Sequence, residues 1–196
     1  MPLSKTHKAA ARGRIVSAAG KAFRANGFDA ASVAGIMADA GLTHGGFYAH
    51  FPSKQALFAE VAATDHDLLD RLTAAKTLTA RAAVLDACLD PANFAAASAG
   101  CTLSALSPDA ARLGGEAAAG LSRAFEAAVA SQQEVGAAPA RARAALCLAL
   151  GALAAARAAP PEGREATLAA ARAEVGALLA PAAPARRGGA AGDWGF

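Results

Sequence analysis

The stretch ASVAGIMADAGLTHGGFYAHFPSK, residues 31–54, decides the architecture of this 196-residue chain. Ser32 is a good N-cap, because its hydroxyl oxygen can accept from a first-turn amide. Behind it Val33, Ile36 and Met37 recur at helical spacing and face inward. Ala40-Gly41 stops that helix, since glycine takes the left-handed conformation at no steric cost. Only Leu42 separates the stop from Thr43, a second capping residue, which opens a short helix from His44 to about His50. Pro52 blocks continuation and Ser53 caps the next helix. Helix, tight glycine-containing turn and short helix make a helix-turn-helix unit, in which the second helix protrudes and is free to enter a major groove.

Working outward, a first helix is predicted from near Lys5 to Asn26, with Ile15, Val16, Ala19, Ala22 and Phe23 on one face and a stop at Asn26-Gly27. The helix that Ser53 caps carries Leu57, Phe58, Val61 and Leu68 or Leu69 and links this unit to the rest of the chain. Charge separates the two parts. Residues 1–54 hold seven Lys/Arg against two Asp/Glu, a balance of +5, while the remainder holds 12 against 14, or −2. Three of the four histidines and six of the ten aromatics also fall within the first 58 residues. A basic, aromatic-cored head on a near-neutral body points to nucleic acid, although a solvated basic surface would give the same balance.

Composition bounds the rest. Alanine accounts for 63 residues, and only 13 of these lie in residues 1–54. Alanine is the best helix former and a poor strand former, so the expected fold class is all-α, with about nine helices. The 55% hydrophobic content excludes an intrinsically disordered chain. Nothing at the N-terminus reads as a signal peptide. The apolar run Ala142–Ala156 is shorter than the roughly 20 residues a bilayer span takes, so it is expected to be a buried core helix and no membrane contact is expected. Cys88, Cys101 and Cys147 are too few and too widely spaced for a disulfide framework or a zinc site, which fits a reduced, cytoplasmic protein with no metal or cofactor.

After Thr64 further helices are expected at 79–90, 102–112, 115–134, 138–158 and 162–180, with Pro108 interrupting the second of these. The expected division is a DNA-binding domain over 1–54, a helical regulatory and dimerisation domain over 55–180, and a disordered Pro/Gly/Arg-rich tail over 181–196.

The residues from Gly13 to Val61 closely resemble the DNA-binding domain of the TetR/AcrR family of bacterial transcriptional repressors. The matching features are Ala19, Phe23 and Gly27, then Ser32, Val33 and Ile36, the Ala40-Gly41-Leu42 turn, Gly45-Gly46-Phe47-Tyr48, and His50-Phe51-Pro52-Ser53-Lys54. They are ordered over about a quarter of the chain and specific as a set. The segment AGCTLSALSPDAARL and the last two helices resemble one branch of the family more weakly.

The resemblance implies roles that the side-chain chemistry supports. Thr43 can offer its hydroxyl and amide to a phosphate from a helix N-terminus. Tyr48, His50 and Lys54 are the other expected backbone contacts, which position a protein without reading sequence. Base readout would fall to His44, with Gly45 and Gly46 allowing close backbone approach. Phe47 and Phe51 are expected in the core. Many relatives carry a second aromatic where this chain has Ala49, so operator details do not transfer. Lys5, His7, Lys8, Arg12 and Arg14 form a basic arm that would add phosphate contacts. The resemblance further implies a homodimer through helices 138–158 and 162–180, binding a palindromic double-stranded operator, and release by an inducer acting in the body. With only Phe94, Phe125 and His66 as aromatic or imidazole groups between Thr64 and Pro181, a small or aliphatic inducer is expected rather than a large aromatic cation.

Cys101 is a candidate redox or electrophile sensor, because a helix N-terminus stabilises a thiolate; a small buried hydrophobe is the other reading. Cys88 and Cys147 read as core. An enzyme finds no support in any metal cluster, nucleophile elbow or phosphate loop. A helical adaptor whose basic head binds nucleic acid non-specifically is the alternative.

Overall fold

The computed structural model describes residues 5–64, 66–94 and 100–180, and the regular structure of these residues is helical throughout. The head comprises α1 (Lys5–Ala30), α2 (Val33–Asp39), a 3₁₀ helix (His44–Ala49) and α3 (Lys54–Thr64). The body comprises α4 (Asp67–Ala74), α5 (Leu78–Cys88), the one-turn α6 (Pro91–Phe94), α7 (Thr102–Leu113), α8 (Gly115–Glu134), α9 (Pro139–Ala158) and α10 (Pro161–Leu179). The proposed tail, 181–196, lies outside the described residues.

The capping residues act as their chemistry requires. Ser32 Oγ accepts from Gly35 N–H at 3.0 Å to open α2, and Ser53 Oγ accepts from Ala56 N–H at 3.0 Å to open α3. Gly41, with φ of 69°, turns the chain out of α2. At Gly27 the backbone leaves helical geometry altogether (φ 76°, ψ 173°), so the regular part of α1 ends at Asn26. Ile15, Ala19 and Phe23 from α1, Ile36 and Met37 from α2, Phe47 and Phe51, and Leu57, Phe58 and Val61 from α3 are buried together. Phe58 forms the aromatic centre, with the Phe23 and Phe28 rings edge-on at 5.1 and 5.4 Å.

The structure corrects several sequence expectations. The recognition segment is a 3₁₀ rather than an α-helix. Gly45-Gly46 removes helix propensity at its centre, and Gly46 N–H donates to Thr43 O across only three residues (3.0 Å). The helix capped by Ser53 does not reach Leu68. It ends at Thr64, and a new helix starts after His66, whose Nε2 lies 2.8 Å from Ala62 O, with Asp67 and Asp70 in its first turn. Leu68 is therefore buried from α4 rather than α3. Pro108 does not interrupt α7 but lies inside it. The missing amide leaves the Ser104 carbonyl without its intrahelical donor, and the helix continues through it, packed on α1, α3, α8 and α9.

The body core is built on Leu85, Leu89, Leu106, Val129, Leu146, Leu153 and Leu168. The apolar helix α9 has the length and composition to cross a membrane. Its stripe Ala142, Ala145, Leu146, Ala149, Ala152, Leu153 and Ala156 is nevertheless buried, and α9 packs on α7, α8 and α10, which accounts for its apolarity as a core helix. The small side chains let backbones approach closely. A Cβ at Gly120 on α8 would lie 3.2 Å from both Cβ and N of Ala63 on α3.

Candidate nucleic-acid interface and effector cavity

The turn and the 3₁₀ helix present a strip of accessible groups on a rigid base. Phe47 and Phe51 are fully buried and stack with centroids 5.9 Å apart, as expected of core residues. From that base Thr43, His44, Gly45 and Tyr48 are exposed, and Gly46 is half-buried. Thr43 precedes the 3₁₀ helix in extended backbone and its hydroxyl makes no capping bond, so it stays available to an incoming oxygen. Tyr48 is 69% exposed and is the one large exposed hydrophobic side chain among the described residues. Its ring packs edge-on against Phe47 at 5.2 Å, which holds the hydroxyl outward. An exposed aromatic on a basic surface, braced from beneath, suits a contact with a phosphate or sugar.

Other basic groups do different work. Lys54 Nζ donates to Asp29 O (3.2 Å) and Ala31 O (3.0 Å) and sits 4.4 Å above the Phe28 ring, tying the start of α3 to the end of α1. Arg12 pairs with Glu60, donates to His50 O and lies 4.0 Å over the Phe51 ring. Both bind the head together before either meets a ligand. The His50 ring has its Nδ1 buried with no hydrogen-bond partner among the described residues. Burial, then the charges of Lys8 and Arg12, push its pKa below the usual histidine value, so the ring is neutral at pH 7. Without DNA it presents a hydrogen-bonding group rather than a cation. The arm helix begins by Lys5, so His7, Lys8 and Arg14 project from regular α1.

A second site lies where head meets body. Lys21 and Arg24 of α1, His66, Asp67 and Arg71 around α4, Cys88 of α5, Phe94 of α6 and Cys101–Leu103 at the start of α7 surround a cavity of about 610 Å³. This volume falls within the range of small-molecule sites. Two bonds fasten α1 to α7 at this junction. Arg24 Nη1 donates to Thr102 Oγ1 at 3.0 Å, and Phe28 N–H donates to Asp109 Oδ2 at 2.7 Å, just beyond the Gly27 break. Asp109 is buried within α7 and also pairs with Arg112. Sequence reasoning missed this acid, since an Asp three residues before an Arg on a helix reads as an ordinary solvent-facing pair.

The cysteines also move. Cys101 is the N-cap of α7, as expected, but burial dominates the nearby Leu103 and Ser104 amides and the charges of Arg157 and Arg24, raising its thiol pKa. Burial thus works against the thiolate that the helix N-terminus would favour. Cys88, read as core, lines the cavity beside Arg71 (3.8 Å), and its thiol is pushed up to about 11, chiefly by burial. Cys147, also read as core, is exposed on α9.

Comparison with known proteins agrees with this geometry. Residues 15–61 match the family model described as bacterial regulatory proteins, tetR family. Over 62 residues the chain is 40% identical to the uncharacterized HTH-type transcriptional regulator YdgC of Bacillus subtilis strain 168; the match spans about a third of each protein (32%). Among solved structures, the reduced form of E. coli NemR superimposes with a TM-score of 0.70 over 88% of this chain and 100% of that one, at 20% identity. SCO4454, a TetR-family transcriptional regulator from Streptomyces coelicolor, gives 0.65 over 87% and 95%, also at 20% identity. At that identity the structures speak to the fold, and the segment match speaks to the head.

Proposed function

We propose that this chain is a transcriptional regulator of the TetR family, whose model its head matches over residues 15–61, and that it works as a homodimeric cytoplasmic repressor released from a palindromic operator by a signal received in its body. The observation that carries the DNA reading is the exposed strip Thr43, His44, Gly45 and Tyr48 on a buried aromatic base, within a head of net charge +5. Thr43 and Tyr48, with a neutral His50, position the backbone. His44 at the free end of the 3₁₀ helix reads base edges, and the glycines let it approach. Lys54 acts indirectly, by fixing the strip to α1.

The dimer reading rests on α9 and α10. Packed on each other, they leave outward-facing small residues: Ala144, Cys147, Gly151 and Ala154 on α9, and Ala166, Ala169, Ala173 and Gly176 on α10. A Cβ at Gly151 or Gly176 would meet nothing within 4 Å in one chain. Such a face suits close crossing by a second copy; reading half-sites one helical turn apart requires two recognition segments about 34–36 Å apart.

The effector reading rests on the cavity. A ligand there touches α1 of the head together with α4 and α7 of the body, so its differential affinity for two head positions would shift their populations. Redox or electrophile sensing by Cys101 is a narrower version, in which modification of the buried thiol at the α7 cap would disturb the same junction.

A mobility shift with the chain's own upstream DNA against a scrambled competitor tests the proposal. Preferential binding to the upstream fragment supports it, and equal binding to both favours the non-specific adaptor.

A further inference from the structure

Resting on the effector reading above, we propose that the cavity takes an amphiphilic organic anion: a carboxylate carried on a small apolar body. Cations dominate its described polar wall. Lys21, Arg24 and Arg71 face it against a single described acid, Asp67, which is solvent-exposed and only 3.6 Å from Arg71. The cations come from both sides of the junction, two from α1 and one from α4. The start of α7 also opens on the cavity, adding the positive end of a twelve-residue helix dipole, and no side-chain cap occupies that end.

The opposite wall is apolar: Phe94, Leu103 and Leu153, with the thiols of Cys88 and Cys101 protonated beside them. The neutral thiols add no negative charge to repel an acid. A carboxylate would therefore lie between α1 and α4, with its hydrocarbon against α7 and α9. Such a ligand ties head to body through charge, and so favours the head position in which those cations converge.

The test is titration calorimetry on the full-length protein without DNA. The probes are hexanoate, octanoate and benzoate, each paired with its primary amide. The expected result is saturable binding of at least one acid at one site per chain, tenfold or more tighter than its amide. Arg71→Gln and Lys21→Gln should each weaken that acid about tenfold, while Arg123→Gln on the distant exposed face of α8 leaves it unchanged. Lys21 is exposed, so its variant folds even if the Arg71 variant does not. The proposal is overturned if no acid binds more tightly than its amide, or if Lys21→Gln and Arg24→Gln bind as the parent does. Adding the bound acid to a protein–operator complex separates the two claims. Binding without release upholds the anion site and counts against release as its consequence.

Discussion

Asp109→Ala is the most direct probe of how the head is attached to the body. In the parent, the Phe28 amide reaches Asp109 Oδ2 at 2.7 Å, and the carboxylate side chain is 10% exposed. A hydrogen bond to a charged acceptor contributes about 1.5–3 kcal/mol when its donor is otherwise left unpaired. The accompanying pair with Arg112, whose side chain is 67% exposed, adds about 0.5 kcal/mol at most. The expected loss is therefore about 2–3 kcal/mol, which for a chain of this size lowers the melting midpoint by about 4–12 °C. Asp109→Asn keeps the shape and an acceptor oxygen but loses the charge, and should fall about halfway. Calorimetry at one fixed protein concentration reads both, because dimer dissociation would otherwise move the midpoint. An Asp109→Ala midpoint within about 1 °C of the parent would refute the reasoning and make the contact incidental.

Four further outcomes are expected. Tyr48→Ala should weaken binding to all DNA sequences alike and leave the salt slope unchanged, because a neutral phenol releases no counterion, whereas His44→Ala should change which operator is preferred; binding isotherms on several operators over a salt series distinguish them. Gly151→Arg should convert dimers to monomers in light scattering without lowering helix content, since the side chain meets only solvent in one chain. In the Gly151→Arg variant, whose α9 face is uncovered, iodoacetamide at pH 7.5 should label Cys147 before Cys88 or Cys101, with Cys88 labelling rising as pH climbs toward its value of about 11; mass spectrometry of timed samples reads the order. The His50 imidazole should titrate below the usual histidine value in an NMR pH series, and its contribution to stability is present above that usual value and lost as pH falls through the lowered pKa.

Much of the head was legible because its signals are local. Ser32, Gly41, Ser53 and Gly27 each state a cap or a stop within a few residues, and the structure places each where its chemistry demands. The buried aromatics were equally readable from their spacing. The body yielded its long helices but not its joints. The break between α3 and α4 lies where His66 reaches back to Ala62, and α7 runs on through Pro108 while packed on α1, α3, α8 and α9. Alanine offers little periodic contrast, so neither was visible in the pattern. The site was divided in the same way. Thr43, His44 and Tyr48 follow from a motif, whereas Lys54 proves to be engaged with two carbonyls. Asp109 and Arg71 gain meaning only from partners tens of residues away.

The contact between Gly120 and Ala63 has a mechanical consequence. Most residues answer a displacement by changing rotamer, and a core of long side chains can absorb a small shift within itself. Glycine and alanine have no rotamers to change, and here the two backbones are already in contact. The helix α3, which starts in the head and runs against α8, therefore behaves as a stiff pushrod rather than a spring. A movement of α8 would be passed to α3 rather than absorbed by side chains, so an alanine-rich seam can transmit as well as support.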